Sequence, residues 1–284
     1  MQGDPVMATK TLAHALEIHG ISDPGMVRGH NEDAISFDAD YGLAILADGM
    51  GGYNAGEVAS GIATTLLGQG LMASIDVVAP HVPEALSGKP AAHRMLRLEI
   101  EKTNLAIFQT AQSQPQCAGM GTTLVAVVFY DNRLTVAHVG DSRLYRFRDG
   151  ELKTLTRDHS LLQEQLDSGL ITPEEAKRSQ NKNLVTRAVG IDPQLDPELT
   201  DHDVNVGDIY LLCSDGLNDM VDDEDIASVL GTLGSNLPLA AEHLVQQAND
   251  NGGRDNVSVV LIRINRSFPA HTSLWSRLFG WLKG

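Results

Sequence analysis

Between residues 122 and 156 the hydrophobic pattern of the chain takes on the period of a strand. Residues 122–129 (TTLVAVVF) are apolar and rich in β-branched side chains, "YDNR" turns the chain, and residues 134–139 (LTVAHV) run back. "RLYRFR" follows, Asp149-Gly150 is a two-residue hairpin signal, and "ELKTLT" returns. Strands joined by such short turns are antiparallel, because parallel neighbours need a crossover of about a dozen residues or more. The stretch predicts an antiparallel meander and argues against a doubly wound parallel sheet.

Further strands are predicted at 42–47 (GLAILA), 208–214 (DIYLLCS) and 256–264 (NVSVVLIRI). Helical spacing marks 55–72, 223–230, 238–249 and 91–112, where Met95, Leu98, Ile100, Leu105 and Ile107 define the expected apolar face. "GKP" near residue 89 reads as a loop between the first two helices. Residues 157–190 are polar and read as a small helical flap, with Thr172 as an N-cap and Pro173 at the first helical position. Helices in separate blocks around antiparallel strands give an α+β architecture.

The chain has 284 residues, 42% of them hydrophobic, enough for one substantial core with an inserted flap. No internal repeat is evident. Its formal charge is −16, from 37 acids and 21 bases, which argues against nucleic acid as a partner because phosphate backbones require basic surface. An acidic balance suits a site that gathers carboxylates around divalent cations. Cys117 and Cys213 form no paired motif, so neither a zinc site nor a disulfide framework is indicated. The N-terminal residues lack the pattern of a secretory signal, and no run approaches 18 apolar residues, so the expected location is cytoplasmic.

Residues 45–56 read "ILADGMGGYNAG": an apolar run ends in Asp48, and four glycines follow within eight residues. The same placement recurs. Asp215 follows the strand 208–214 and precedes Gly216, Asp255 stands directly before the strand 256–264, and "NED" (Asn31, Glu32, Asp33) precedes another apolar run. A carboxylate at a strand end before glycine is a poor helix starter and a good ligand for a hard cation such as Mg²⁺ or Mn²⁺. A single Asp-Gly after a strand is usually only a turn. Spacing alone leaves the turn and the metal site both open.

The ordered set "RGHNED", "LADGMGG…AGEVAS", "GMGTT", "VGDSRLYRFRDG", "LTRDHS", "LVTRAVG", "LLCSDGLND" and "GGRDNVSVV" resembles the metal-dependent protein phosphatase 2C family, most closely its bacterial serine/threonine phosphatases. The resemblance runs from about residue 17 to 264. It implies a four-layer α-β-β-α sandwich, with a central antiparallel β-sandwich flanked by helices. It further implies that Asp48 bridges two Mn²⁺ or Mg²⁺ ions and that Gly49 offers its carbonyl to the first. Glu32, Asp215 and Asp255 would hold the second, with Asp33 acting directly or through water. Arg28, four residues before Glu32, would clamp the phosphoryl group as a fork and touch no ion. The implied activity is hydrolysis of phosphoserine and phosphothreonine on proteins by hydroxide activated between two metals. Two positions depart from the pattern. Met50 stands where animal members carry a histidine after "DG". Gln116 stands where bacterial members carry an aspartate for a third ion, and a neutral amide is a poorer ligand. Asp141 and Asp219 are the remaining candidates for that third ion, with a turn-holding role as the alternative for Asp141.

Other chemistry-bearing residues read as structural. Cys213 lies on an apolar strand with no arginine six residues on, so it is assigned to the core. "DHDVN" at 201–205 only faintly resembles an aspartyl-phosphate motif and precedes its strand. His30, His138 and His159 read as structural or surface residues, and Asp222, Asp223, Glu224 and Asp225 as favouring a helix N-terminus. The domain reading is an N-terminal extension (1–16), a catalytic domain (17–265) with its flap, and a linker and short amphipathic tail (266–284). In that tail Trp275, Leu278, Phe279 and Leu282 share a helical face beside Arg277 and Lys283. It docks either on its own domain or on a partner or membrane surface. The expected partners are phosphorylated proteins, substrates of a serine/threonine kinase, met by a monomeric chain. The competing reading is a catalytically weak member that binds phosphoproteins as a regulatory module.

Overall fold

The computed structural model describes residues 11–52, 55–172, 175–176 and 184–270. In chain order the elements are β1 (Leu16–Asp23), β2 (Asp33–Asp38), β3 (Leu43–Met50), α1 (Ala55–Val77), α2 (Ala91–Ser113), β4 (Gly121–Thr122), β5 (Leu124–Tyr130), β6 (Arg133–Val139), β7 (Arg143–Arg148), β8 (Glu151–Thr154), α3 (Leu161–Asp167), β9 (Glu198–Asp203), β10 (Ile209–Cys213), α4 (Asp215–Asn218), α5 (Asp223–Leu233), α6 (Leu237–Asp250) and β11 (Val257–Ile264). One sheet has the order β1-β11-β10-β7-β8 and the other β2-β3-β5-β6-β9, with β4 appended to β3. All the strand pairs are antiparallel.

Strand β3 shows how the layers arise. Leu43, Ile45 and Ala47 point one way, onto Ala59, Ala63 and Leu67 of α1. Ala44 and Leu46 point the other way, into a core shared with Leu212 and Val260 of the second sheet. Both faces are covered, which is why the strand reads as an unbroken apolar run. The second sheet turns Leu211, Cys213 and Val259 outward onto Ile226 and Leu230 of α5 and Leu244 of α6. Burying one such leucine or isoleucine contributes about 2 kcal/mol. A one-residue slip of β3 would exchange its two faces, so the register is firmly held. The result is the expected α-β-β-α sandwich.

Both hairpin turns form where the sequence placed them. Asp131 and Asn132 have φ of 47° and 53°, and Asp149 and Gly150 of 52° and 84°. Positive φ at both central residues is the type I′ turn that matches strand twist. The meander nevertheless divides: β5 and β6 belong to one sheet, β7 and β8 to the other. The chain changes sheets at Gly140–Ser142.

Several boundaries differ from the sequence reading. Strands β1, β2 and β9 were not predicted. β1, β2 and β9 lie at sheet edges, and β9 carries "ELTDHD" with no fully buried residue. Asp48 does not end β3. It lies inside it, cross-strand from Asp33. Asp215 opens a short helix, α4, rather than avoiding one, because Ser214 takes the extended N-cap position before it. The buried face of α2 runs through Met95, Leu96, Ile100 and Ile107 and also takes in Thr103 and Asn104, whereas Leu98 and Leu105 are exposed. Those two polar residues are affordable inside because Thr103 bonds Glu99 O and Asn104 bonds Asp192 O and Gly190 N.

Helix α1 is long and apolar enough to cross a membrane by length and composition. It packs as a core helix, with Ala59, Ala63, Leu67 and Leu71 fully buried. The domain ends also shift. Leu16 and Ala15 are buried, so the body takes in part of the expected 1–16 extension. Residues 266–270 are not free linker: Phe268 is buried, its N–H donates to Asn132 Oδ1 at 2.7 Å, and Ala270 N donates to Asp131 Oδ1 at 2.7 Å. The tail helix, within 271–284, and the segment 179–183 lie outside the described residues.

Candidate metal centre

The four acidic motifs meet at one end of the sandwich. β2 and β3 bring Asp33 and Asp48 side by side as a cross-strand pair. Glu32 precedes β2, Asp215 follows β10, and Asp255 precedes β11. Backbone bonds fix the group. Gly49 N donates to Glu32 O (3.1 Å), and Glu32 N donates to Asn256 Oδ1 (2.8 Å). Asn256 Nδ2 in turn donates to Pro24 O and His30 O, so the residue after Asp255 ties three loops together. Thr123 N and Thr122 Oγ1 both donate to Asp48 O at 2.8 Å, and Asp48 N donates to Thr123 Oγ1 at 3.1 Å.

Gly49 serves closeness. A Cβ there would lie 2.1 Å from Gly56 O and 2.6 Å from Glu32 O. The absent side chain therefore lets the first turn of α1 sit directly on the end of β3. That contact also brings the Gly56 amide to the Glu32 carboxylate.

The electrostatics are those of a site short of cations. Burial pushes the Asp33 carboxyl up to about 7, partly offset by hydrogen bonds from Ser258 and Ser214. The Ser214 hydroxyl donates to Asp33 Oδ2 at 2.7 Å. Burial, then the neighbouring charge of Asp33, raises Asp48 well above the carboxylate range. Burial, then Asp141 and Asp255, does the same to Asp215. Glu32 is raised too, chiefly by burial. Glu32 Oε1 and Asp33 Oδ1 are buried with no hydrogen-bond partner. Buried anions without partners are costly. An all-oxygen donor set with orphaned lone pairs fits hard divalent cations.

Arg28 is one cation of this end. Its Nη2 donates to Asp255 Oδ2 at 2.7 Å, and the side chain is 51% exposed. Asp255, expected from sequence as a metal ligand, is thus also the partner of the arginine expected to meet phosphate. Asp141 is buried on the β6–β7 turn, and burial raises it to about 6. It acts electrostatically on both Asp48 and Asp215, so it belongs to the same group. Asp219 closes α4. A cleft of about 530 Å³ opens beside the carboxylates, lined among others by Asp141, Arg143, Asp158, Asp215 and Asp219. It does not include Asp48, Glu32 or Asp255. Gln116 is exposed and bonds Gln114. Met50 pairs with Gly121 of β4.

The chain matches the protein phosphatase 2C family model over residues 28–248. It belongs to that family. The serine/threonine protein phosphatase PstP of Mycobacterium tuberculosis is 40% identical over 245 residues, 84% of this chain and 43% of the relative, so the chain spans less than half of that protein. Protein phosphatase PhpP of Streptococcus pneumoniae is 39% identical over 255 residues, 88% of this chain and 98% of the relative. The solved catalytic domain of PstP in complex with two manganese ions superposes with a TM-score of 0.75 at 39% identity, covering 89% of this chain and 99% of that one. Serine/threonine phosphatase Stp1 from Staphylococcus aureus gives 0.79 at 33% identity, covering 94% and 100%.

The protein phosphatase 2C scaffold explains the residues set aside. Cys213 is fully buried on β10, and burial pushes its thiol up to about 12, so it is no nucleophile near neutral pH. Asp201 of "DHDVN" lies in β9 and accepts from Thr135 Oγ1 (2.6 Å) and from His93 Nε2 (2.8 Å), which pins α2 to the sheet. Asp223, Glu224 and Asp225 occupy the first turn of α5 as expected. His30 is exposed. One grouping was missed: His138, His159 and Glu198 bring ligand atoms within 4.8 Å of one another, apart from the acidic motifs. His138 and Glu198 are cross-strand partners on β6 and β9, and only the unpredicted strand β9 would have revealed it.

Proposed function

We propose that this chain is a metal-dependent protein serine/threonine phosphatase. Its carboxylate end would bind two Mn²⁺ or Mg²⁺ ions through Glu32, Asp33, Asp48, the Gly49 carbonyl, Asp215 and Asp255. The observation that carries this reading is the convergence of buried, proton-retaining carboxylates with two orphaned oxygens at one end of a phosphatase 2C fold. When bound, such ions acidify a water and screen phosphoryl charge.

The chain's own residues supply the rest. Asp48 is held through its backbone by Thr122 and Thr123, so its carboxylate has a fixed origin. Arg28 stands at the rim on Asp255, exposed enough to reach a phosphoryl group with a planar fork. Ser214 orients Asp33. Asp141 and Asp219 are the residues for a third ion, without help from Gln116. Substrates would be phosphorylated proteins made by a serine/threonine kinase in the cytoplasm, met by a monomeric chain. The tail within 271–284 would then dock a partner or a membrane surface.

The test is hydrolysis of para-nitrophenyl phosphate and of a phosphothreonine peptide with Mn²⁺ and with EDTA. Turnover that requires Mn²⁺ and is abolished by EDTA supports the reading. Peptide binding without turnover in Mn²⁺ would make the chain a phosphoprotein-binding module, and turnover indifferent to EDTA would sink the metal site.

A further inference from the structure

The segment 157–190 joins the body of the protein through a short ladder. Leu161 N donates to Leu184 O (2.9 Å), Thr186 N donates to His159 O (2.8 Å), and Ser160 pairs with Val185. His159 lies on the inner side of that ladder and grips the β6–β7 turn. Its N–H donates to Gly140 O at 2.7 Å, and its ring Nδ1 accepts from Gly140 N at 3.1 Å. A ring nitrogen that accepts an amide proton fixes the tautomer: the proton sits on Nε2, which faces Glu198 Oε2 at 3.3 Å.

From Gly140 the connection continues to the acidic centre. Gly140 has φ +108°, and a Cβ there would lie 2.7 Å from the Thr123 side chain. Asp141 is the next residue, and Ser142 after it bonds Thr123 Oγ1 at 2.7 Å. Thr123 Oγ1 is also the acceptor for Asp48 N. An unbroken run of short bonds thus leads from the base of the flap through His159 to the backbone of Asp48.

A cation held by His138, His159 and Glu198 is the competing use of this cluster. His138 Nδ1 is buried and unpartnered, which favours it. The protons oppose it. His159 Nδ1 is spent on Gly140, so Nε2 keeps its hydrogen and has no lone pair for an ion; ligation would require an imidazolate. Arg187 Nη1, 3.5 Å from that same Nε2, adds positive charge.

We propose that His159 is a positioning residue for the phosphatase reaction. It holds the turn that carries Asp141, steadies Asp48 through Ser142 and Thr123, and links both to the flap base. The proposal rests on the phosphatase reading of the carboxylate end. His159→Asn keeps a short acceptor for Gly140 N, whereas His159→Leu fills similar space without one. Hydrogen exchange at the Gly140 amide is read in the full chain, with and without Mn²⁺. It should speed up about tenfold in the leucine variant and stay near wild type in the asparagine variant. With saturating Mn²⁺ and para-nitrophenyl phosphate, the leucine variant should lose about ten- to a hundredfold in kcat with KM little changed, and asparagine should restore most of it. Unchanged Gly140 exchange in the leucine variant, or an asparagine variant as impaired as leucine, overturns the proposal. If the wild-type chain shows no metal-dependent turnover, the phosphatase reading fails while the exchange arm still scores His159. If the leucine variant does not fold, His159→Ala decides by the same readouts: it removes the acceptor with a smaller side chain, and Gly140 exchange equal to wild type then overturns the proposal.

Discussion

Strand β10 has an aspartate beyond each end, and the two keep different company. Asp208, just before it, is 1% exposed and accepts from Arg148 Nε and Nη2 at 2.6 Å each, from Tyr210 Oη at 3.0 Å and from Asn205 N at 2.8 Å. A planar guanidinium and two further donors satisfy it completely. Asp215, just after the strand, joins Asp48, Asp33, Asp141 and Asp255, beside which stand the half-exposed Arg28, paired with Asp255, and Arg143, paired with Asp158. At the Asp208 end one arginine serves one buried acid, whereas at the other end the acids outnumber the arginines beside them. The difference marks the acidic end as built for ions from outside, and the Asp208 end as built to hold strands.

The sharpest way to break the comparison is Asp48→Asn. If Asp48 exists to bind ions, this change should lower kcat/KM by about a thousandfold or more. It should not destabilise the metal-free protein, because a neutral amide of the same shape replaces a side chain that burial already holds toward its neutral form. Urea unfolding in EDTA and initial rates in Mn²⁺ read the two arms. Full activity, or a stability loss in EDTA like that of an ordinary core lesion, would erase the contrast.

Arg148→Ala probes the other end. It leaves Asp208 buried beside Tyr210 and Asn205 without its guanidinium, which should cost about 3 kcal/mol in urea unfolding. Turnover per folded molecule should stay near wild type. A loss of turnover with unchanged stability would mean that the Asp208 end serves the chemistry after all.

How much of this contrast could be read before the fold was known depends on the kind of signal. β3, β5 and β11 were legible because both faces are buried and the apolar run is continuous. β1 and β9 sit at sheet edges, where one ladder suffices and polar residues are tolerated, so their sequences carry little period. Asp48, Asp215, Glu32 and Asp255 were legible as recurring strand-end acids, and the ordered motifs gave them roles. Their partners were not. Arg28 and Asp255 are 227 residues apart, and the Arg148–Asp208 pair spans 60 residues. His159 meets Glu198 because β6 and β9 pair, and meets Gly140 because residues 159–161 pair back along 184–186 beside the β6–β7 turn. Contacts made by topology leave no trace in local spacing. The apolar face of α2 was drawn one step wrong at Leu98 and Leu105 for a related reason: Thr103 and Asn104 are buried through bonds that only the tertiary structure supplies.

The smallest expected effect sharpens the comparison by titration. His138 is a buried base on β6, three residues before Asp141. Its Nε2 donates to Ser142 O at 3.0 Å, its ring lies 4.7 Å from that of His159, and Arg143 and Arg187 add positive charge nearby. Burial lowers its pKa to about 3, against an unfolded value near 6.5. Between those values the unfolded chain binds the proton and the folded chain does not. His138 therefore contributes stability that is complete above pH 6.5 and is lost as pH falls toward 3, by at most about 1.4 kcal/mol per unit. The raised carboxylates act with the opposite sign, since the folded state holds their protons at pH values where the unfolded state has released them. A single pH curve of the metal-free protein mixes the two contributions. The difference between wild type and His138→Leu isolates the histidine, because the carboxylates are common to both. Urea unfolding in EDTA at pH 7, 6 and 5 should show the wild type losing ground to the variant as pH falls, most steeply between 6 and 5. A difference that stays flat across that interval would mean His138 takes up its proton equally in both states, and that this flank of the acidic end is wetter than its burial indicates.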